Sequence, residues 1–167
     1  LTLEDGSTAH PGRPLPLGYH RLEAGDDPPR PVIAAPSRAP TWPGRRWGVF
    51  APVHALRRSD DLGAGDLTAL AGLSGWTREL GGDLVGILPP LALFLDEPYE
   101  PSPYAAVSRL HWSEALVDPE RAPELASSEE ARRRLADAHR AAAPLRALPA
   151  ADLRAVAAAK RPVLEAL

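Results

Sequence analysis

The residues able to do chemistry fall into a few groups. Asp96, Glu97 and Glu100 lie within five positions of one another in a proline-rich stretch. Two carboxylates can share general acid and nucleophile work, and a retaining pair must stand ~5 Å apart. An acidic, proline-rich loop is more simply a solvated one, and spacing alone does not choose. Asp60, Asp61 and Asp66 form a second group, but their spacing fits no cation-binding loop. Asp66 immediately precedes an apolar periodic run, so it is expected to cap a helix. No metal and no cofactor is expected. His54 sits in an apolar run and reads as a packed core histidine rather than an acid or base. His20, next to Tyr19, is expected on the surface of a β region. Arg109 is expected to anchor its loop to a buried aspartate.

These groups depend on the elements that carry them. LTLE with Asp5-Gly6 is a hairpin signal, because glycine tolerates positive φ. LPLGYHRLEA (15–24) and PVIAAP (31–36) add two short strands, expected to be the end of a larger antiparallel β domain. Prolines at 28, 29, 31, 36, 40 and 43 mark loop and linker, since proline lacks the amide donor. WGVFAPVHAL (47–56) reads as a strand buried on both faces, with Pro52 marking an end or bulge. Leu67, Leu70, Leu73, Trp76 and Leu80 recur at helical steps, and Gly81-Gly82 follow as a stop. Trp76 is assigned to that helix core, and Trp47 and Trp112 to packing. DLVGILPP (83–90) is the next strand. Strand, helix and strand at this spacing form a βαβ unit and favour a parallel α/β domain.

Residues 91–123 read as irregular. Ser127 and Glu130 have capping-box spacing ahead of a helix, and EEARRR (129–134) is its solvated face with i, i+4 pairs. Pro149 is placed at the start of a second helix, which Pro162 kinks or ends. The domain division expected is 1–43, end of a β domain plus linker; 44–120, first βαβ unit with its loop; and 121–167, a helical insertion.

Composition narrows the function. The 167 residues carry a net charge of −3 with both signs interspersed. There is no basic stripe, so nucleic acid is not an expected partner. No apolar run approaches the ~20 residues that span a bilayer, and no secretory leader is visible. Cysteine is absent, which excludes disulfides and fits a cytoplasmic location. Methionine is also absent, so Leu1 is expected to lie inside a longer protein or to follow processing. Lys160 is the lone lysine among many arginines.

Four segments, in order, resemble one family. LPLGYHRL with PVIAAP is similar to closing strands of its N-terminal β domain. RRWGVFAPVHALR (45–57) with LGAGDLTAL (62–70) resembles its first barrel strand and following loop. LGGDLVGILPPLALF (80–94) resembles its second strand. EPYEPSPYAAVSRLHWSEALVDPE (97–120) resembles a loop built around S-P-Y. The chain departs from the family pattern at Pro52-Val53-His54, Ala69, Ala106, His111, Ser113 and Leu116. The family is the bacterial 4-α-glucanotransferases (amylomaltases, glycoside hydrolase family 77).

The resemblance implies a (β/α)8 barrel with helical insertions, and retaining transglycosylation between maltodextrins, which are α-1,4-glucans. It implies that the catalytic carboxylates lie beyond Leu167, because a barrel of this class needs ~250 residues. It implies that Ser102 and Tyr104 border the cleft as substrate-binding residues. A tyrosine ring can cover a pyranose face while its hydroxyl bonds a sugar oxygen. Against this enzyme reading stands a non-catalytic remnant that binds glucan weakly or packs against another chain. A third reading is an inert piece with unpaired strand edges. Continuation of the gene into further βα units with acids at strand ends would decide for the enzyme.

Overall fold

The computed structural model describes residues 1–10 and 12–167. The chain divides into two compact units, Leu1–Gly44 and Arg45–Leu167.

The first unit is a small antiparallel sheet. β1 (Gly18–Leu22) pairs with β2 (Arg30–Ala34), Gly18 opposite Ala34 and Leu22 opposite Arg30. The Asp5-Gly6 turn forms as expected, with Gly6 at φ 84° and the Gly6 amide donating to the Leu3 carbonyl. The LTLE segment contributes isolated bridges from Thr2 to Thr8 and Arg21 rather than a full strand. His20 is buried, not on the surface. Its Nδ1 accepts from the Glu4 amide at 3.2 Å, so its proton is on Nε2, which donates to the Pro16 carbonyl at 2.9 Å. That pair of bonds is what lets an imidazole lie inside a minimal core.

The second unit is mixed α/β with small two-stranded sheets. β3 (Gly48–Phe50) and β4 (Leu84–Gly86) pair in parallel, joined through α1 (Leu67–Glu79). The predicted long strand ends early. Pro52 leads into a 3-10 turn, Val53–Ala55, so the strand is three residues long. Burial on both faces is also not observed: Phe50 and Leu84 are 66% and 64% exposed. A single strand pair covers neither of its own faces.

Asp66 caps α1 as expected, its side chain accepting from the Ala69 amide at 2.9 Å. Gly81 follows at φ 81°, where a side chain would be strained. The predicted apolar face is only partly covered. Ala69 and Thr77 are the buried positions, while Trp76 stands 52% exposed and is not a core residue. Trp47 is likewise half-exposed, though its ring lies against Gly82, and Trp112 is 66% exposed.

The segment 91–123 is not irregular. β5 (Leu91–Ala92) pairs antiparallel with β6 (Ser108–Trp112), and 3-10 turns follow at Glu114–Leu116, Pro119–Arg121 and Pro123–Ala126. β5 has two residues and the 3-10 turns three or four, too few positions to reveal a period, and in β6 (SRLHW) Leu110 and Trp112 are the apolar positions.

α2 (Glu129–Arg146) and α3 (Leu153–Leu164) form a helical hairpin. The α2 cap is Ser128 rather than Ser127. Ser127 instead donates to the Glu124 carbonyl and closes the preceding 3-10 turn. Ser128 Oγ also donates to the Ala166 carbonyl at 2.7 Å, tying the start of α2 to the end of α3. Glu130 pairs with Arg133 and Arg134 on the exposed face, as expected. α3 starts at Leu153 under an Asp152 cap, not at Pro149. Pro144 and Pro162 each sit two residues before their helix ends, where the amide they lack costs one hydrogen bond at the last turn.

The core joins this hairpin to the loop between β3 and α1. Ala64, Leu95, Ala115, Leu153, Val156 and Ala157 form one cluster; Leu62, Ala138, Ala142 and Val163 form another. Gly63, at φ 103°, allows the loop to approach Leu145 and Val156.

Candidate functional site

Of the residues singled out above, His54, Glu100 and Ser102 line one open cleft of about 580 Å³, and Tyr104 lies outside that lining. One wall is the 99–103 segment, with Tyr99, Pro101 and Ser102. The opposite wall is His54 and Arg57 after β3, together with Leu153 of α3.

Pro101 and Pro103 stiffen the S-P-Y segment, and hydrogen bonds set its turn. The Ser102 amide donates to Glu100 Oε1 at 2.9 Å, and the Tyr104 amide donates to Ser102 Oγ at 3.3 Å. The Ala105 amide donates to the Ser102 carbonyl at 3.0 Å. Ser102 lines the cleft, while the Tyr104 ring is 76% exposed. The ring is thus presented as a free flat surface at the end of a braced turn.

The carboxylates of this region are all engaged. Asp96 pairs with Arg161, Glu97 with Arg154, and Glu100 holds the Ser102 amide. The Arg154 guanidinium also lies over the Tyr99 ring, 4.5 Å from its centre. These contacts strap the 96–100 segment to α3, which is the solvated, structural reading of those acids. Among the described residues no group of three or more His, Asp or Glu is placed to hold a metal ion.

His54 is half-buried in the wall, and burial depresses its pKa below the ordinary 6.5. Burial thus favours the neutral ring. Its main chain is fixed by the Gly65 amide, which donates to the His54 carbonyl at 3.0 Å.

Behind this wall lies a largely buried charge cluster, which joins the Asp60, Asp61 and Asp66 group to Arg58, Asp118 and Lys160, a convergence the sequence did not single out. Arg58 reaches Asp60, Asp66 and Asp118 at 3.0, 2.9 and 3.6 Å. Asp61, nearly inaccessible, accepts from Arg57 Nε and from the Arg58 and Gly63 amides. Lys160 is fully buried and donates to the Ala115 and Val117 carbonyls at 2.7 and 2.8 Å. Burial lowers its pKa, while Asp66, Asp118 and Asp61 act in the opposite sense. The anchoring role expected of Arg109 thus belongs to Arg58. Arg109 is exposed, and its side chain makes no hydrogen bond or ion pair among the described residues. The available signal was Arg57-Arg58 against Asp60-Asp61, but alternation of charge is equally typical of a surface loop.

Comparison with known proteins places this architecture. Residues 51–167 match the model of the glycoside hydrolase 77 family, 4-alpha-glucanotransferase. A 4-alpha-glucanotransferase of Mycobacterium tuberculosis is 34% identical over 128 residues, covering 66% of this chain and 17% of the relative. One from Haemophilus influenzae is 32% identical over 103 residues, covering 58% and 15%. The crystal structure of amylomaltase from Corynebacterium glutamicum superposes on 99% of this chain and 28% of its own, with a TM-score of 0.78 at 26% identity. The chain spans about one sixth of the length of the curated relatives it matches. With a family match over more than half of its residues, the chain belongs to the glycoside hydrolase 77 family of 4-alpha-glucanotransferases.

Proposed function

We propose that this chain is part of a cytoplasmic 4-α-glucanotransferase of carbohydrate metabolism that moves α-1,4-glucan segments between maltodextrins. The observation that carries the reading is the family match over 51–167, which includes the whole cleft. In this reading β3 and β4 are the first two strands of a (β/α)8 barrel. Residues 1–43 end a β domain, 44–120 hold the first βαβ unit, and 121–167 are the helical insertion. Loops after barrel strands line the active face, which is where Ser102 and Tyr104 would stand.

The chemistry is a retaining double displacement. A carboxylate attacks the anomeric carbon and the glycosidic bond breaks. A carboxylic acid gives its proton to the leaving oxygen, and a sugar hydroxyl then releases the covalent intermediate, returning that proton. Both catalytic groups are assigned to residues beyond Leu167, and the acids at 96–100 are already spent on structure. This chain supplies acceptor positioning: the Tyr104 ring for a pyranose face and Ser102 for a sugar hydroxyl. The reaction calls on no cofactor.

The test is Tyr104→Ala in a polypeptide that continues past Leu167 and is active on maltotriose. The expected result is weaker acceptor use with an unchanged fold, because the ring is exposed. Unchanged maltotriose kinetics would remove Tyr104 from the site.

A further inference from the structure

We infer that the buried cluster of Lys160, Arg58, Asp66 and Asp118 is a positioning device that couples α3 to His54 across the back of the cleft. The path is continuous. Lys160 Nζ holds the Ala115 and Val117 carbonyls. Asp118, the next residue, faces Arg58 at 3.6 Å. Arg58 holds Asp66 at 2.9 Å, and Asp66 caps α1. Gly65, the residue before it, donates to the His54 carbonyl. Leu153 at the start of α3 and His54 at the far end of the path both line the cleft. The apolar cluster of Ala64, Ala115, Leu153 and Val156 packs the same elements together, and the charge-assisted bonds of this path fix their register.

The choice of lysine supports this. The chain uses arginine at every other basic position apart from histidine. Arginine is a planar fork, whereas an ammonium is a compact point donor. Two carbonyls 2.7 and 2.8 Å from one buried nitrogen suit the ammonium. Burying that charge is costly unless carboxylates and acceptors surround it. Asp61, Asp66 and Asp118 supply the opposite charge, with Arg58 between them. Such a cluster holds one arrangement, since moving any member exposes another to an uncompensated charge.

The test uses Asp118→Asn in this 167-residue chain, a near-isosteric change that leaves the Lys160 carbonyl contacts in place. The readout is the His54 imidazole titration by NMR, alongside amide exchange at Gly65 and in α2. Direct electrostatics would lower the His54 midpoint, because a negative charge is removed. Release of the wall would raise it towards the ordinary 6.5, because water reaches the ring. The expected result is a rise, with Gly65 exchange at least ~10-fold faster and α2 protection retained. A lowered or unchanged midpoint, or equal loss of protection in α2 and at Gly65, would overturn the inference. Lys160→Met is the second variant, read by Gly65 exchange against α2 protection, because removing a positive charge raises the His54 midpoint by direct electrostatics as well.

The consequence for glucan rests on the function proposed above. Where the wild-type longer polypeptide turns over maltotriose, Asp118→Asn should raise the acceptor KM by more than it lowers kcat. An unchanged KM would overturn the positioning role and leave the glucanotransferase reading intact. An inactive wild type would count against that reading instead, and the His54 titration would still judge the coupling.

Discussion

Gly65 packs directly against the main chain of Val53 and Leu56. An added Cβ at this position would meet the Val53 carbonyl well inside van der Waals contact and the Leu56 carbonyl oxygen at 2.5 Å. Both are main-chain atoms, so no side chain can swing away. The loop must retreat from the 3-10 turn at Val53–Ala55, and the Gly65 amide then leaves the His54 carbonyl. Overpacking of this kind costs ~1–3 kcal/mol, and a lost hydrogen bond adds about 0.5–1.5 kcal/mol. Gly65→Ala should therefore destabilise the second unit by roughly 2–4 kcal/mol. Gly72→Ala is the control. Gly72 lies on the exposed side of α1 with nothing within 4 Å of its added Cβ. There the substitution removes unfolded-chain entropy and should stabilise by about 0.5–1 kcal/mol. Urea denaturation followed by far-UV circular dichroism reads both, since α1, α2 and α3 lie in the second unit. The two variants must move in opposite directions. A Gly65→Ala midpoint equal to or above the wild type would show that the close approach does not constrain the loop.

Two further outcomes follow from the cap and the histidine. Asp66→Ala removes the α1 cap, worth ~1 kcal/mol in typical helices, and also strips Arg58 of a buried partner. It should cost more than Asp66→Asn, which keeps a capping oxygen, and a comparison of urea midpoints checks the order. The His54 titration midpoint should fall below 6.5 in the wild-type chain, because burial opposes the imidazolium. A depressed folded pKa means that the neutral ring's contribution to stability is present above the unfolded value and lost as pH falls through the folded one. Proton NMR of the imidazole with stability measured from pH 7 downward tests both; a midpoint at or above 6.5 would refute the buried placement.

What was legible in the sequence depended on element length. α1 spans 13 residues, enough turns for Leu67, Leu70 and Leu73 to declare a helical period and for Asp66 to be read as its cap. β3, β4 and β5 have three, three and two residues. A period of two cannot be read in so few positions, so β5 stayed hidden in the 91–123 stretch, and with it the pairing that defines β6. Local chemistry misled at Ser127 because two neighbouring serines offer the same cap, and tertiary contact with Ala166 decides for Ser128. The burial of Phe50 and Trp76 was overestimated because apolar patterning reports which faces should be covered, not whether this chain covers them. The S-P-Y turn was visible as a motif. The charge cluster behind the cleft was not, because Arg58, Asp118 and Lys160 are distant in sequence and meet only when α3 folds back.

The proposed function has this chain build part of a glucan cleft, with the catalytic pair carried by other residues of a longer polypeptide. Maltotriose disproportionation, comparing the 167-residue chain with a polypeptide that continues past Leu167, tests it most directly. Glucose and longer maltodextrins are expected from the longer polypeptide alone. Turnover by the 167-residue chain itself would contradict it, because a catalytic pair would then lie among carboxylates assigned here to ion pairs and caps.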